Sequence, residues 1–182
     1  MDEVKSDEVE HGRSGKKNKI AALFGLEGDA WMRHSNPASV WTRFAVLPLL
    51  ALAIWSRDWI GWWCLIPIAL LIVWLVINPL FFERPASTKH WASKSVLGER
   101  IWTETDRAAL PEEFQSKVPS LAQAYQVVGL LIMIYGLVVL DAVATIGGVL
   151  ITQGGKVWYL DRMVLTFEAM KRRNPEFAAW EY

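Results

Sequence analysis

The chain has 182 residues, of which 53% are hydrophobic, and its 19 basic and 19 acidic side chains give a formal net charge of zero. This balance excludes the basic surface on which nucleic-acid binding depends, so we expect no nucleic-acid partner. Eleven tryptophans and the high apolar content are typical of a membrane protein instead. The single cysteine, Cys64, can form no internal disulfide.

The N-terminal region is polar. Residues 1–19 are mostly charged or small and polar, which predicts a disordered tail. Apolar residues at helical spacing between Ile20 and Trp31 then indicate a short interfacial helix, where a membrane domain of residues 20–173 begins. Because the first long apolar run starts only after Arg43, we expect no secretory signal peptide.

The most apolar stretch runs from Trp59 to Phe82 and has no charged residue. About 20 helical residues cross a hydrocarbon core of roughly 30 Å, so this stretch predicts a membrane span over residues 59–78.

A second span is predicted just before it. Asn36 and Pro37 are typical of the N-cap and first residue of a helix. That helix reaches spanning length over residues 39–56, with Arg43 near its end, from where its long side chain can reach the headgroups. Residues 56–58 then form a tight turn, and the two spans are antiparallel.

Residues 83–120 form a polar segment on the cytoplasmic side. A short helix over residues 88–97 is expected, ended by Gly98. Trp91 and Trp102 are unusual in a solvated segment, and they predict that it docks on the membrane surface or on the helix ends.

Two arrangements are possible after residue 120. A single span over residues 127–149 would bury Asp141, at a cost of about 2.5–3.5 kcal/mol. Two spans over residues 121–140 and 142–160 place Asp141 in a turn instead. The four-span arrangement puts every lysine and arginine except Arg57 on one side, which predicts a multi-pass protein of the cell membrane with both termini cytoplasmic.

Glycines recur at helical spacing in the second pair of spans. Small residues at such positions let helices approach closely in a membrane, so we expect packing faces. They are Gly129 with Gly136, Gly147 with Gly154, and Gly148 with Gly155. Beyond residue 160 an amphipathic surface helix is predicted, ended by Asn174 and Pro175, with residues 174–182 as a tail.

Four blocks of sequence carry a resemblance to a known family. They are RHSNPASVWTR (residues 33–43), NPLFF (78–82), HWASKSVLGERIW (90–102) and KVWYLDRM (156–163). In this order they resemble an uncharacterised family of small prokaryotic multi-pass membrane proteins, a domain of unknown function. The resemblance implies a membrane protein with a shared polar set, and it supplies no activity.

The predicted fold is therefore all-α, with four transmembrane helices as two hairpins. Several polar residues should converge at its cytoplasmic interface, and they form the candidate site. They are Arg33, His34, Asn36, Arg43, Asn78, Glu99, Arg100, Lys156, Asp161 and Arg162.

Three hypotheses fit this set. Ion pairs and helix caps could simply hold the polar segment in place. Arginines could bind an anion or a lipid headgroup. His34 could do acid–base work with Glu99 or Asp161. The sequence has no glycine-rich phosphate loop, no nucleophile elbow and no metal-site spacing of histidines, so we predict no catalytic residue, metal or cofactor.

The sequence favours a non-enzymatic accessory or interaction protein whose partners are membrane lipids. The alternative is a small transporter or channel subunit that works as a homo-oligomer, because four tightly packed helices are too narrow to hold a pore alone.

Overall fold

The computed structural model describes residues 29–105, 110, 112–115 and 117–182, so the predicted tail over residues 1–19 lies outside the described residues. Within the described ranges all regular structure is helical, as predicted. The helices are α1 (Asp29–His34), α2 (Pro37–Trp55), α3 (Arg57–Ile60), α4 (Leu65–Phe81), α5 (Trp91–Glu104), α6 (Val118–Val139), α7 (Ala142–Arg173) and α8 (Pro175–Ala178), with 3₁₀ turns at Gly61–Cys64 and Glu112–Phe114.

Two helical stretches are long and apolar enough to cross a membrane, by length and composition. They are Pro37–Phe81, which contains α2 to α4, and Val118–Val139, which is α6. Helices α2 and α4 pack against each other, yet Asn78 is the only buried residue of α4. The rest of α4 exposes large apolar side chains, and a surface of this kind calls for apolar surroundings.

The first helical pair begins as the sequence predicts. The Asn36 side chain accepts a hydrogen bond from the Ala38 N–H at 3.0 Å, and Pro37 is the first helical residue of α2. At the far end the chain reverses through α3 and a 3₁₀ turn that starts at Gly61, whose φ of 57° suits glycine. The predicted span over 59–78 therefore starts inside the turn, and the regular helix begins at Leu65.

The second pair is α6 and α7, which pack along their length. Leu140 adopts a left-handed conformation at the end of α6, and the Asp141 carboxylate accepts a hydrogen bond from the Ala144 N–H at 2.8 Å. The turn at Asp141 is thus confirmed. Helix α7 continues without interruption to Arg173, so the span and the surface helix predicted to follow residue 160 belong to one helix.

Glycines set the distance between α6 and α7. A Cβ atom at Gly148 would lie 2.3 Å from the Met133 nitrogen, and one at Gly136 would lie 2.4 Å from the Thr145 nitrogen. Gly129 and Gly155 are similarly close to the facing helix, whereas Gly147 and Gly154 face open space. The packing prediction is confirmed for four of the six glycines and is wrong for Gly147 and Gly154.

Helix α5 packs on the C-terminal half of α7. The predicted end at Gly98 is wrong: the helix is capped by His90, whose Nδ1 accepts from the Ala92 N–H at 3.1 Å, and runs to Glu104. Gly98 allows α5 to approach α7 closely, because a Cβ atom at this position would lie 1.9 Å from the Met163 carbonyl oxygen. The predicted docking tryptophans, Trp91 and Trp102, both pack against the core that contains Met163.

Residues 174–182 fold back over the segment before α5. The Thr88 N–H donates to the Tyr182 carbonyl oxygen at 3.0 Å, and the Thr88 hydroxyl donates to the Trp180 carbonyl oxygen at 2.8 Å. The Arg100 guanidinium lies 4.3 Å from the centre of the Trp180 ring. The predicted tail is therefore part of the folded structure.

Four charged side chains join α5, α7 and this C-terminal stretch. Lys94 lies 2.5 Å from Glu168 and 2.9 Å from Glu181, and Lys171 lies 2.8 Å and 2.6 Å from the same two carboxylates. Hydrogen bonds from Lys171 and Lys94 lower the pKa of both carboxyl groups, so all four groups are charged at neutral pH. The two lysines and the two glutamates neutralise one another, so these four charges need no ligand.

Candidate functional site

Arg43 is the centre of the polar end of the molecule, where α1 meets the start of α2. Its Nε donates to the Ser39 carbonyl oxygen at 3.0 Å, and its Nη2 donates to the His34 carbonyl oxygen at 2.9 Å. Its Nη1 lies 2.8 Å from Nδ1 of the His34 ring and also contacts Nε2. The Arg43 guanidinium thus holds α1 against α2, and it donates a hydrogen bond to a backbone carbonyl group at the C-terminal end of α1.

His34 is neutral in this setting. Burial, and then the positive charges of Arg43 and Lys156, lower its pKa to about 2. A ring that resists protonation to this degree is a poor proton acceptor at physiological pH. The geometry therefore gives His34 the role of a neutral partner for Arg43 and disfavours the acid–base hypothesis.

A buried polar network joins α2 to the end of α4. The Ser39 hydroxyl donates to Asn78 Oδ1 at 2.6 Å, and Asn78 Nδ2 donates to the Thr42 hydroxyl at 2.9 Å. Asn36 Nδ2 donates to the Glu83 carbonyl oxygen at 3.0 Å, just beyond α4. The network gives both polar groups of the buried Asn78 a partner, and it holds α4 in place through its one buried residue.

Glu99 and Lys156 complete the charged part of the site. Glu99, on α5, interacts electrostatically with Lys156 on α7 and with Arg43. Burial raises the pKa of Glu99, while the two positive charges lower it less strongly. The buried phenol of Tyr159, one turn beyond Lys156, also faces this carboxylate. We call Arg43, Lys156, Glu99 and His34 the charge cluster.

Aromatic rings border the charge cluster. The rings of Trp41 and Trp91 stack with centres 6.0 Å apart and an angle of 21° between their planes, and Phe44 lies 5.7 Å from Trp41. The Lys156 ammonium lies 5.7 Å from the centre of the Phe44 ring. Trp41 is 48% exposed. An apolar rim beside partly buried charge suits an amphiphilic molecule.

The structure brings together six of the ten predicted site residues: His34, Asn36, Arg43, Asn78, Glu99 and Lys156. The others lie elsewhere. Arg100 pairs with Glu104 at 2.9 Å and covers Trp180, Arg162 pairs with Asp161 at 3.1 Å, and Arg33 is exposed on α1. Arg100 is separate because adjacent helical residues point in directions about 100° apart, so it cannot share the face of Glu99.

Ser39 and Thr42 also belong to the site, although neither was among the predicted site residues. Together with Arg43 they fall three and four residues apart on α2, which puts polar groups on one face of an otherwise apolar helix. This spacing is the sequence pattern from which a polar face on α2 could have been predicted. Gln153 was also overlooked; its Nε2 donates to the Phe44 carbonyl oxygen at 2.6 Å and ties α7 to α2 beside the charge cluster.

The fold and the site together define an all-helical protein with long apolar helices and a charge cluster at one end of them. The chain belongs to a family of unknown function, DUF6653, which matches residues 16–180. No curated protein and no solved structure matches it. The family carries no assigned activity, so the function has to be argued from the charge cluster itself.

Proposed function

We propose that this chain is a non-enzymatic, four-span protein of the cell membrane that binds an anionic lipid headgroup at its cytoplasmic face through Arg43 and Lys156. The observation that carries the proposal is the charge cluster: hydrogen bonds to Ser39 and His34 fix the Arg43 guanidinium, and the Lys156 ammonium lies 5.7 Å from the ring of the adjacent residue Phe44, with Glu99 as the carboxylate that acts on both cations. A site with surplus positive charge of this kind favours an anionic ligand.

The exposed apolar surface supports four spans. Large apolar side chains cover α4, and others, such as Leu131, Val143 and Leu150, cover the outer faces of α6 and the first half of α7. In water this surface would be a large aggregation-prone patch, whereas a bilayer would solvate it. The close α6–α7 contacts at the glycines support the proposal that the start of α7 lies in the bilayer beside α6.

The topology gives the first test. A reporter that fluoresces only in the cytoplasm should be bright when fused after Tyr182 and dark when inserted at Arg57. In the proposed four-span arrangement the basic run Lys171–Arg173 just before the C-terminus is cytoplasmic, and Arg57 is the one basic residue of the two outer turns. Cell fluorescence, normalised to protein amount on a blot, measures the result. A dark fusion after Tyr182 would contradict the four-span arrangement.

The position of the cations along the helices indicates a lipid ligand. Arg43 lies roughly 18 Å along α2 from Trp55, and Lys156 lies roughly 21 Å along α7 from Ala142. In a hydrocarbon core about 30 Å thick, the backbones of both residues lie roughly 10 Å below the headgroups, and their long side chains extend towards them. Cations at this depth are expensive unless they meet a counter-charge, and the phosphate of a lipid is the counter-charge that the headgroup layer offers.

The two cations have different tasks in this proposal. Three of the five guanidinium N–H groups of Arg43 are used by His34 and Ser39, so Arg43 supplies positive charge from a fixed position. Lys156 is exposed on α7, and its ammonium has three donors for a phosphate. Acyl chains would then pass along the exposed ring of Trp41.

The binding test compares matched charge deletions. Protein purified in a non-ionic detergent is incubated with equal amounts of phosphatidylglycerol and phosphatidylcholine, and native mass spectrometry counts the retained lipids. Wild-type protein should retain phosphatidylglycerol preferentially. Lys156→Gln should reduce this preference roughly tenfold, which corresponds to about 1.4 kcal/mol. Arg172→Gln, which removes an exposed cation near the end of α7, should leave the preference unchanged.

Two outcomes would contradict the proposal. Equal losses in Lys156→Gln and Arg172→Gln would mean that lipid retention follows overall charge and not the cluster. Displacement of the lipid by dimethyl phosphate at the same concentration would mean that the ligand is a soluble anion. Melting temperatures of both variants, measured without added lipid, show whether each protein is folded.

A further inference from the structure

An apolar groove lies between α2 and the first half of α7, towards the Asp141 turn and away from the charge cluster. Its volume is about 370 Å³, within the range of about 300–1,000 Å³ that small-molecule sites have. Of the residues that line it, Thr145 alone carries a hydroxyl group, and that hydroxyl donates to the Asp141 carbonyl oxygen at 2.8 Å. The lining offers almost no polar partner, so an apolar occupant suits it.

The groove has a floor of small, buried residues and walls of large, exposed ones. Ala51 and Thr145 line the floor and are each 5% exposed. Leu52, Ile146 and Leu150 line the walls, and all three are exposed. Helices approach each other closely in a membrane over small residues, so these walls hold a helix about 10 Å across away from the floor. A single hydrocarbon chain is thin enough to lie between them.

A hydrogen bond between α7 and α2 closes the end of the groove nearer the charge cluster. Pro48 has no N–H group, so the Phe44 carbonyl oxygen, four residues earlier, lacks its usual helical partner. Gln153 Nε2 donates to that oxygen at 2.6 Å and joins the two helices there. The lining residues of α2 all follow Phe44 and those of α7 all precede Gln153, so the groove lies wholly on the Asp141 side of this bond.

The length of the groove matches one leaflet of a bilayer. Its lining residues on α7 run from Ala142 to Leu150, which is roughly 12 Å along the helix axis. Half of a hydrocarbon core about 30 Å thick is roughly 15 Å, and in the four-span arrangement Ala142 lies at the outer end of its span. Trp55 and Trp59 line the same end of the groove, and tryptophan is typical of the membrane–water interface. A chain from the outer leaflet can therefore reach along the whole groove.

We infer that this groove binds one acyl chain of an outer-leaflet lipid, with the ester end of the chain near Ala142 and Trp55 and its terminal methyl group near Leu150. The inference takes the four-span arrangement from the proposed function, but it does not depend on headgroup binding at Arg43 and Lys156. The groove recognises hydrocarbon and not charge, so a zwitterionic lipid is a suitable ligand. The hydrogen bond at the closed end keeps this chain away from the charge cluster, so the groove is a second lipid site.

The test maps where a retained chain lies. Wild-type protein is reconstituted with phosphatidylcholine that carries a photoreactive diazirine on one acyl chain, either near the ester or near the terminal methyl group. The protein is washed in lipid-free non-ionic detergent before irradiation, so that only retained lipid reacts, and mass spectrometry locates the labelled peptides. Labelling of residues 48–55 and 142–150 should exceed that of the exposed apolar helix α4 roughly tenfold. The label near the ester should react near Ala142, and the other label near Leu150.

A substitution that fills the groove provides the second measurement. Ala142→Phe adds an aromatic ring at the outer end of the groove and should lower its labelling roughly tenfold. Val143→Phe is the matched control, because Val143 is 83% exposed and does not line the groove, and it should keep the wild-type labelling. Lys156→Gln should also keep it, since the charge cluster is a separate site. Melting temperatures show whether each variant is folded.

Each of four outcomes would overturn the inference. Equal labelling of the groove and of α4 in wild-type protein would mean that no chain is held, whether or not Ala142→Phe folds. The opposite order of the two labels would mean that the chain enters from the cytoplasmic leaflet. Full labelling of a folded Ala142→Phe protein would place the chain elsewhere. A lipid-free dimer that Ala142→Phe dissociates would mean that a second copy covers the groove. The headgroup site has its own test, the preference for phosphatidylglycerol, and none of these results alters it.

Discussion

Gly148→Leu should lower the melting temperature in detergent by roughly 6–12 °C, the shift expected from a loss of about 3 kcal/mol in a protein of this size. Even a methyl group at this position would lie 2.3 Å from the Met133 nitrogen and 2.7 Å from the Gly129 carbonyl oxygen. Both are backbone atoms of α6, so the clash cannot be relieved by a side-chain rotation. The two helices have to separate, and the contacts between them are lost.

Gly147→Leu is the matched control for this variant. It makes the same change one residue earlier, at a position where a Cβ atom meets nothing within 4 Å. We expect an unchanged or slightly higher melting temperature, because leucine forms helices better than glycine. Thermal unfolding of the two proteins, followed by tryptophan fluorescence in the same detergent, measures the difference. Similar melting temperatures for both variants would show that α6 and α7 do not depend on this contact.

Features that depend on neighbouring residues could be predicted from the sequence. The cap at Asn36 and the turn at Asp141 each follow from a side chain that accepts a hydrogen bond from the backbone two or three residues later. The glycine faces follow from spacing on a single helix. Even there the sequence could not tell Gly148 from Gly147, because only the position of α6 decides which of the two is buried.

Gly98 is the residue at which the predicted end of the central helix is wrong. Glycine either ends a helix or allows another helix to come close, and the sequence of one helix does not separate these roles. The deciding fact is the Met163 backbone, 65 residues further along the chain. The folding back of residues 174–182 onto Thr88 is similarly remote, and it depends on hydrogen bonds between segments with no common sequence pattern.

Only part of the candidate site could be predicted from the sequence, because contacts between distant segments decide the rest. His34, Asn36 and Arg43 are close in sequence, and one short helical connection brings them together. Glu99 and Arg100 were equally plausible members before the structure, since both lie at the same point of a polar segment. The orientation of α5 against α7 directs Glu99 to Lys156 and leaves Arg100 over Trp180.

The contact at Gly98 links this orientation to the proposed binding. Gly98 lies directly against α7 and next to Glu99, so the distance between the α5 and α7 backbones determines where the Glu99 carboxylate sits relative to Lys156. A change that pushes α5 away from α7 should therefore weaken both the fold and the charge cluster.

Gly98→Ala makes that change with a single methyl group. Its Cβ atom would lie 1.9 Å from the Met163 carbonyl oxygen, so α5 has to move away from α7, and we expect a loss of about 1–3 kcal/mol and a reduced preference for phosphatidylglycerol. Gly154→Ala is the control, since its Cβ atom meets nothing within 4 Å and alanine favours a helix over glycine by about 0.8–1.0 kcal/mol. The two variants should shift the melting temperature in opposite directions. If Gly98→Ala were as stable as Gly154→Ala and retained the same lipids, α5 would not hold Glu99 in the cluster through this contact.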